Sequence, residues 1–569
     1  MTLNALADCS GNLMAENTTI EIFRGEQPEK YDLLITEIMA DPSPTVGLPE
    51  GEYFELYNAS DKILDIAGVR LNDKVLTESR ILMPGEYLLC IDDELTLDFL
   101  FYPDAYIVTD LGTTYFTNGG RDLSLYNAND EEIDRVNYRL SWYQDENKTD
   151  GGYSLERINL SEPCRAGDNW RASVDVKGGT PGAENSVFDT TPDTTPPSAT
   201  TVFVQDSTHI QVLFSETIDE LSVIMADIIV VPALPIISVN AVAPDYTSIF
   251  IEFGEPLEQG TIYTVSITGI SDCLGNESTE ASSLIFGLPE APLAGDILIN
   301  EVLFYPETGG SDFVEVVNVS DKIISLQNWS LQNASGTVRE ITADALLIFP
   351  GDYLVFTASP SNIAQEYPFG KPENYFQVAT PSYNNASGSV ILLDNNQVVI
   401  DQFDYLESYH FSLLNTFKGV SLERMNFTRP TNDPGNWTSA AETVGFATPG
   451  YLNSQYHADG KAQNKFEFDN EVFSPDNDGF EDILSLNYSL EAPGYAATIE
   501  IYDRSGRLLK TLENNLLLAT SGTITWDGVT DDNIKARIGP HIFVITLFNL
   551  DGTTETNKLP CIVAGRLSN

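Results

Sequence analysis

Short stretches in which apolar and polar residues alternate run through most of the chain and predict β-strands. In the first third they include Tyr53-Phe-Glu-Leu-Tyr57 and Glu132-Ile-Asp-Arg-Val-Asn-Tyr138, and turn sequences such as Met83-Pro-Gly-Glu86 separate them. No segment between residues 31 and 187 has a helical period. Many short strands joined by regular turns are typical of β-sandwiches. The pattern therefore predicts an all-β chain of tandem sandwiches.

One pair of these stretches occurs twice along the chain. Leu33-Leu-Ile-Thr-Glu-Ile-Met39 and Gly51-Glu-Tyr-Phe-Glu-Leu-Tyr-Asn58 return as Ile297-Leu-Ile-Asn-Glu-Val-Leu303 and Asp312-Phe-Val-Glu-Val-Val-Asn318. Self-similarity at a fixed distance indicates a repeat architecture. The sequence therefore predicts two related modules rather than one large core.

A shorter repeated sequence, here called the echo, has its two copies the same distance apart along the chain. Leu6-Ala-Asp-Cys-Ser-Gly-Asn12 corresponds to Ile270-Ser-Asp-Cys-Leu-Gly-Asn276. In the second copy, enough residues precede the echo for a domain of ordinary size, whereas the first copy lacks them. We therefore expect residues 1–23 to be the truncated tail of an Ig-like domain. A signal peptide, which the first residues do not resemble, would then lie upstream.

The same patterns divide the chain into modules. The first module (residues 31–187) and the second module (residues 294–453) hold the two copies. Residues 188–197 contain two Thr-Thr-Pro units and predict a short extended linker. The spacer module (residues 198–288) and the C-terminal module (residues 466–569) each have the alternation of a smaller sandwich.

The ends of the two copies also correspond. Ser154-Leu-Glu-Arg157, Trp170 and Gly179-Thr-Pro-Gly182 return as Ser421-Leu-Glu-Arg424, Trp437 and Ala447-Thr-Pro-Gly450. Together with the opening strands, and in this order, these motifs resemble the lamin tail domain. The resemblance covers both modules and implies an immunoglobulin-like sandwich for each.

The two smaller modules resemble other Ig-like families. The spacer module, with Leu213-Phe-Ser-Glu-Thr-Ile-Asp219, looks like the bacterial Ig-like domains of surface and S-layer proteins. The C-terminal module, with Ile524-Thr-Trp-Asp-Gly528, resembles the Ig-like C-terminal domain of the flagellar hook-cap protein and of Bacteroidetes surface proteins. Asp476-Asn-Asp-Gly479 departs from that family's usual Pro-Asn-Gly-Asp-Gly. Related domains act in type IX secretion or anchoring, which is what this resemblance implies.

Charge limits the classes of partner. The chain has 85 acidic and 29 basic residues and a net charge of −56. Such a surface repels nucleic acids and anionic bilayers. The most apolar run, Ile228 to Val239, is too short to span a membrane and contains Pro232 and Pro235, so it predicts two strands around a turn. We expect neither nucleic-acid binding nor membrane insertion.

The five cysteines do not form a recognisable pattern. There is no Cys-x-x-Cys pair, so neither a zinc ribbon nor a disulfide scaffold is indicated. Phe356 stands in the second module where the first has Cys90, which predicts a buried thiol there. Cys164 has no cysteine counterpart in the second module.

Three charged positions are retained between the modules and are the candidate site residues. They are Glu37 with Glu301, Glu55 with Glu315, and Arg157 with Arg424. A functional interpretation makes the glutamates metal or ligand groups. The structural interpretation, which we favour, places them on a sheet face with one glutamate paired to the arginine.

Aromatic residues provide further candidates. Trp170 and Trp437 follow corresponding motifs and are interpreted as core residues beside the closing turn. Carbohydrate stacking is the alternative for these two. Trp142 and Tyr143 lie in a polar segment without a tryptophan in the second module, so they are candidates for ligand contact.

One acidic turn predicts a metal site. Asp476, Asp478, Glu481 and Asp482 surround Gly479, and carboxylates at alternate positions beside a glycine resemble a Ca²⁺ loop. The pattern is not a complete EF-hand loop. The alternative is an ordinary Asx-rich turn.

No catalytic motif stands out. The sequence has no Gly-x-Ser-x-Gly, His-Glu-x-x-His or phosphate-binding loop. The leading hypothesis is a non-catalytic extracellular or cell-surface protein that binds a protein or glycan, with a C-terminal module for export or anchoring. The second is the accessory part of a secreted nuclease or phosphoesterase whose catalytic domain lies upstream. Nucleic-acid binding by analogy with lamins is opposed by the charge.

Overall fold

Nearly all regular structure in the computed structural model is β-strand, which confirms the predicted all-β fold of tandem sandwiches. The structure describes residues 24–96, 98–102, 104–112, 114–458 and 463–565, together with residues 2–3, 7–10, 12 and 18–19. Most of the predicted tail at residues 1–23 therefore lies outside the described residues. Within it, β1 (Thr2–Leu3) and β2 (Thr18–Thr19) form an antiparallel pair.

Two compact units divide the chain: residues 1–257 with 262–286, and residues 258–261 with 287–569. The first module lies in the first unit. Its strands are β3 (Leu33–Met39), β4 (Tyr53–Asn58), β5 (Leu64–Asp65), β6 (Arg70–Leu71), β7 (Lys74–Val75), β8 (Ile81–Leu82), β9 (Tyr87–Asp92), β10 (Tyr106–Val108), β11 (Gly120–Tyr126), β12 (Glu132–Arg139), β13 (Leu155–Arg157) and β14 (Trp170–Ala172).

Two main sheets form the sandwich of the first module. One has the order β10-β9-β4-β3-β13-β14 and the other β12-β11-β6-β7, while β5 pairs with β8. The apolar positions predicted by alternation, such as Phe54, Leu56 and Val136, meet in one core between the sheets. The strand β3 is buried along its whole length, so its outer face is also covered by protein. The cover over this outer face determines the environment of the retained glutamates.

The spacer module follows in the same unit. It contains β15 (Ala199–Asp206), β16 (His209–Phe214), α1 (Glu220–Met225), β17 (Asp227–Val231), β18 (Ile236–Ala241), β19 (Ser248–Phe253), β20 (Tyr263–Thr268) and β21 (Ser282–Phe286). The sheets have the orders β15-β16-β19-β18 and β17-β20-β21. The apolar run from Ile228 to Val239 forms two strands, as predicted, and these belong to different sheets.

The second module lies in the second unit and has the same architecture as the first. Its elements are β22 (Ile297–Leu303), β23 (Phe313–Asn318), β24 (Ile324–Ser325), β25 (Ser330–Asn333), β26 (Val338–Glu340), β27 (Leu347–Ile348), β28 (Tyr353–Thr357), α2 (Pro360–Glu366), β29 (Tyr375–Gln377), β30 (Ser387–Leu393), β31 (Val399–Leu406), β32 (Leu422–Arg424) and β33 (Trp437–Ser439). The sheet orders β29-β28-β23-β22-β32-β33 and β26-β25-β30-β31 repeat those of the first module.

The C-terminal module completes the second unit. It contains β34 (Lys465–Phe468), β35 (Val472–Phe473), β36 (Leu484–Ser489), β37 (Ala496–Asp503), β38 (Leu508–Leu517), β39 (Ser521–Trp526), β40 (Gly539–Phe548) and β41 (Thr554–Val563). They form sheets β34-β36-β39 and β35-β41-β40-β37-β38. Gln455, just after the second module, donates a hydrogen bond to the carbonyl of Leu518 at 2.9 Å. Among the described residues, no helix has the length and apolar character needed to cross a membrane.

Candidate functional site

The retained glutamates of the first module form a row across three neighbouring strands. Glu37 on β3 is paired in register with Glu55 on β4 and with Glu156 on β13. All three side chains are fully buried. Burying a carboxylate is costly unless hydrogen bonds replace its water shell, so the surrounding donors determine what this row can do.

The chain that follows β14 supplies most of these donors. The amide of Thr180 donates to Oε1 of Glu37 at 2.8 Å, and the amide of Gly182 donates to Oε2 of Glu55. The Ser186 hydroxyl donates to Oε2 of Glu156 at 2.8 Å. The segment from Gly178 to Val187, here called the closing segment, is therefore held over the outer face of the sheet by the glutamate row.

Burial changes the acidity of the row. Loss of solvent, together with the charge of Glu156, raises the pKa of Glu37 to about 7, although hydrogen bonds from Ser154 and Tyr53 act in the opposite direction. Burial also raises the pKa of Glu55 well above its usual value. Near neutral pH, these carboxyls hold protons more readily than exposed glutamates do.

The second module repeats most of this arrangement. Glu301 on β22 is paired in register with Glu315 on β23 and Glu423 on β32, and all are fully buried. The amide of Thr448 donates to Oε1 of Glu301 at 2.9 Å, and the amide of Gly450 donates to Glu315. Burial and the charge of Glu423 raise the pKa of Glu301 to about 8.

The arrangement supports a framework role for the glutamates. A catalytic or ligand-binding carboxylate must reach the group on which it acts, whereas both rows lie beneath a closing segment. In the second module, the closing segment is the chain around Thr448 and Gly450. The glutamate oxygens accept hydrogen bonds from the closing segment and from neighbouring strands. The prediction that Glu37, Glu55, Glu301 and Glu315 are structural stays the better interpretation on this geometry.

The predicted pairing of a glutamate with the arginine is wrong. Arg157 is buried and its Nη2 donates to Oδ2 of Asp134 on β12 at 2.9 Å. In the second module Arg424 donates to Asp401 on β31 at 3.1 Å. Each arginine thus faces the opposite sheet across the core, while the glutamates face outwards beneath the closing segment.

Sequence reasoning missed four residues of this framework: Glu156, Glu423, Asp134 and Asp401. The signal was present, because both copies read Leu-Glu-Arg, and both have Ile-Asp at the corresponding point of β12 and β31. Comparing the two copies position by position would have found them.

The aromatic predictions had mixed outcomes. Trp170 and Trp437 are buried, and each ring lies beside its arginine, with 5.1 Å from Arg157 to the Trp170 ring and 5.3 Å from Arg424 to the Trp437 ring. Tyr143 is also buried, which contradicts its prediction as a ligand contact. Trp142 packs against the core of the first module and remains partly exposed.

The cysteines include a disulfide that the sequence did not indicate. Cys164 of the first module is bonded to Cys273 of the spacer module. Cys90 is buried, as predicted, and Cys561 is buried too, whereas Cys9 is exposed. Asp8 accepts hydrogen bonds from the amides of Ser10 and Asn12, as Asp272 does from Leu274 and Asn276, so the two echoing turns share these two hydrogen bonds.

The acidic turn of the C-terminal module places three of its four predicted ligands together. Oxygens of Asp476, Asp478 and Asp482 lie within 4.8 Å of one another. Glu481 is not part of this group. Oδ1 of Asp482 already accepts a hydrogen bond from the amide of Asn477, and Oδ2 accepts one from Gly479. Ca²⁺ binding at this turn stays a prediction.

Family comparisons agree with the motifs of three modules. Residues 26–139 and 290–407 each match the family model of the Lamin Tail Domain, and residues 189–287 match that of the Bacterial Ig-like domain. The chain therefore contains two lamin-tail-like segments and one bacterial Ig-like segment. No curated protein sequence matches the chain.

Solved structures offer only distant similarity. The surface layer protein SbsC, domains 1–6, is 12% identical over 65% of this chain, with a TM-score of 0.15. The match spans 55% of that solved chain, which is little more than half of its length. A DUF4876 family protein from Bacteroides thetaiotaomicron is 12% identical over 32% of this chain and 77% of its own, with a TM-score of 0.17. Similarity at this level carries no functional argument.

Proposed function

We propose that this chain is a non-catalytic, extracellular protein of a bacterial surface, built from lamin-tail-like and Ig-like modules that act as spacers and adhesive or scaffolding units. One observation carries the proposal. The charged residues retained between the two lamin-tail-like modules are buried in matching networks, so the repeat preserves a framework and not an exposed reactive group.

The disulfide supports an extracellular location. Disulfides persist in oxidising compartments such as the cell surface and periplasm, and are rare in the reducing cytosol. The bond between Cys164 and Cys273 joins two modules instead of lying within one. The match to a bacterial Ig-like domain is consistent with the same location.

The charge supports a partner that is not a polyanion. A net charge of −56 over 569 residues disfavours nucleic acids and anionic lipid surfaces. A protein or a neutral glycan at the cell surface is the partner class that remains. We also propose that the C-terminal module serves export or anchoring.

Surface labelling of the bacterium that encodes this chain tests the proposal. Antibodies against the second module should label intact cells, and brief protease treatment of intact cells should remove the signal. A version that lacks residues 466–569 should no longer be retained at the surface. Labelling that requires permeabilised cells would overturn the proposed location.

A further inference from the structure

Three carboxylates from three different segments meet beside the disulfide of the first unit. Asp168 belongs to the first module, Asp193 to the linker, and Glu216 to the spacer module just after β16. Oxygens of all three lie within 4.8 Å of one another. No motif in the sequence brings these positions together, because 48 residues separate the first from the last.

Glu216 is the decisive residue in this group. Its side chain is buried, with 9% relative exposure. Among the described residues, it has no hydrogen bond and no ion pair. An unpaired carboxylate held beside two others is unfavourable unless it takes up a proton or a cation, so the cluster favours a cation that the described residues do not supply.

The nearby arginine does not supply that group. Arg165 contacts Oδ2 of Asp168 at 2.6 Å and Oε2 of Glu162 at 2.7 Å, and its Nε lies 3.5 Å from Oδ2 of Asp193. One guanidinium thus contacts three carboxylates and forms no ion pair with Glu216, although its charge acts to lower the pKa of that group. Burial raises the pKa of Glu216 to about 8, and the charges of Asp193, Asp168 and Asp272 act in the same direction. Asp272 lies next to the disulfide in sequence.

We infer that Asp168, Asp193 and Glu216 form a Ca²⁺ site that fastens the linker to the modules on both sides. Two oxygens on opposite sides of a Ca²⁺ ion lie about 5 Å apart, so all three carboxylates can reach one ion. Ca²⁺ prefers carboxylate oxygens and tolerates irregular geometry with water in the remaining positions.

The surroundings leave room for that water. A cleft of about 300 Å³ is lined by Asp168 and Glu216 together with Trp142 and Thr217. The Trp142 ring lies against Gly167, the residue before Asp168. The indole is therefore close enough to sensitise the luminescence of a lanthanide ion bound in place of Ca²⁺.

The second module provides an internal comparison for the position of Asp168. Asn169 and Trp170 correspond to Asn436 and Trp437, so Gly435 occupies the position of Asp168 in the second module. The cluster of three carboxylates is thus specific to the junction between the first module and the spacer module. The lamin-tail-like framework does not require it.

Calcium titration of the full chain tests the inference. The background carries Asp476→Asn, Asp478→Asn and Asp482→Asn, which removes the acidic turn of the C-terminal module. We expect one bound Ca²⁺ by calorimetry in this background. Glu216→Gln should weaken binding at least tenfold, and Asp193→Asn should do the same. The matched control Glu220→Gln, an exposed acidic residue of α1, should leave affinity unchanged.

Two further measurements distinguish loss of the Ca²⁺ site from a folding defect. Terbium emission excited through tryptophan should appear in the background chain, fall in Trp142→Phe and be displaced by Ca²⁺. Circular dichroism and non-reducing peptide mapping of Cys164 with Cys273 should show that Glu216→Gln is folded. The inference is overturned if the background chain gives no heat at millimolar Ca²⁺, or if Glu216→Gln and Glu220→Gln bind Ca²⁺ equally well.

Discussion

At the scale of single residues, burial decides what the retained glutamates are. Glu37 and Glu301 are chemically able to bind a metal or move a proton, and nothing in their neighbouring letters distinguishes these roles from a structural one. In the folded chain they accept hydrogen bonds from the closing segment and lie out of reach of solvent. Their raised pKa values are consequences of this burial.

The glutamate rows make stability depend on pH. The folded-state pKa of Glu301, about 8, lies above its ordinary value of 4.5, so the folded chain holds a proton that the unfolded chain has released. This stabilising contribution is complete below about pH 4.5 and is lost as the pH rises through 8. We expect guanidinium unfolding of the second unit to show lower stability at pH 8 than at pH 5, and Glu301→Gln to reduce the difference.

The exposed Glu340, on β26 of the same module, provides the control for this experiment. Glu340→Gln should retain the full pH dependence of the wild type. If Glu301→Gln retains it too, the buried glutamate does not carry the proton.

One pair of differences between the modules is complementary in volume. The Tyr53 hydroxyl donates to Glu37 at 2.6 Å, and a Cβ on Gly179 would lie 2.5 Å from that hydroxyl oxygen. The second module has Phe313 and Ala447 at these two positions, and there the alanine and the ring belong to the same buried cluster. The loss of a hydroxyl therefore accompanies the gain of a methyl.

A double-mutant cycle tests this complementarity. We expect Gly179→Ala to destabilise the first unit by about 1–3 kcal/mol through overpacking. Tyr53→Phe should cost about 1 kcal/mol through the lost hydrogen bond. The double variant should lose less than the sum, with a coupling of at least about 0.5 kcal/mol in chemical denaturation. Strictly additive losses would contradict the proposed contact.

At the scale of elements, the arginine of Leu-Glu-Arg connects the two sheets of a module. Arg157 on β13 reaches Asp134 on β12, and Asp134 also accepts a hydrogen bond from the amide of Ile35 on β3 at 2.8 Å. The alternation in these strands predicted which side chains point inwards. It did not predict that two of the inward-facing side chains carry opposite charges and meet.

Removal of the buried aspartate should be costly. Asp134→Asn leaves a buried guanidinium without its counter-charge, so we expect a loss of about 3 kcal/mol in the unfolding free energy of the first unit. Asp401→Asn is the matched variant in the second unit. It should cost less, because Arg424 also donates to the carbonyl of Ile299 and Asp401 is more exposed.

Chemical denaturation of both variants measures the difference. Equal losses would show that the additional partners of Arg424, which are the carbonyls of Ile299 and Arg429 and the hydroxyl of Thr431, contribute nothing. No loss in Asp134→Asn would show that the ion pair does not hold the sheets together.

At the scale of the whole molecule, the disulfide is the strongest constraint that the sequence concealed. Cys164 and Cys273 are 109 residues apart and lie in two different modules, so no spacing rule pairs them. Only the packing of the first module against the spacer module brings them together. Arg139 and Asp245 form a second link between the same modules, at 2.6 Å.

Removal of the disulfide should destabilise the first unit. In the chain-entropy model, closing a loop of this length stabilises the folded state by about 4–5 kcal/mol. We expect Cys164→Ser with Cys273→Ser to lower the unfolding free energy of the first unit by up to this amount. Cys9→Ser, which changes an exposed free cysteine, should have no effect. An unchanged stability in the double variant would mean that the bond does not form in the isolated chain.

The sequence by itself determined the strands, the turns, the repeat and the family of each lamin-tail-like module, because alternation and turn chemistry are local properties of the chain. Its charge also predicts that nucleic acids and anionic bilayers are not partners. Tertiary structure alone decided that the glutamates are buried beneath a closing segment, that the arginines pair with aspartates on the opposite sheet, and that three distant carboxylates meet beside a disulfide. These are contacts between segments far apart in sequence, and their energies depend on burial, which only the folded chain creates.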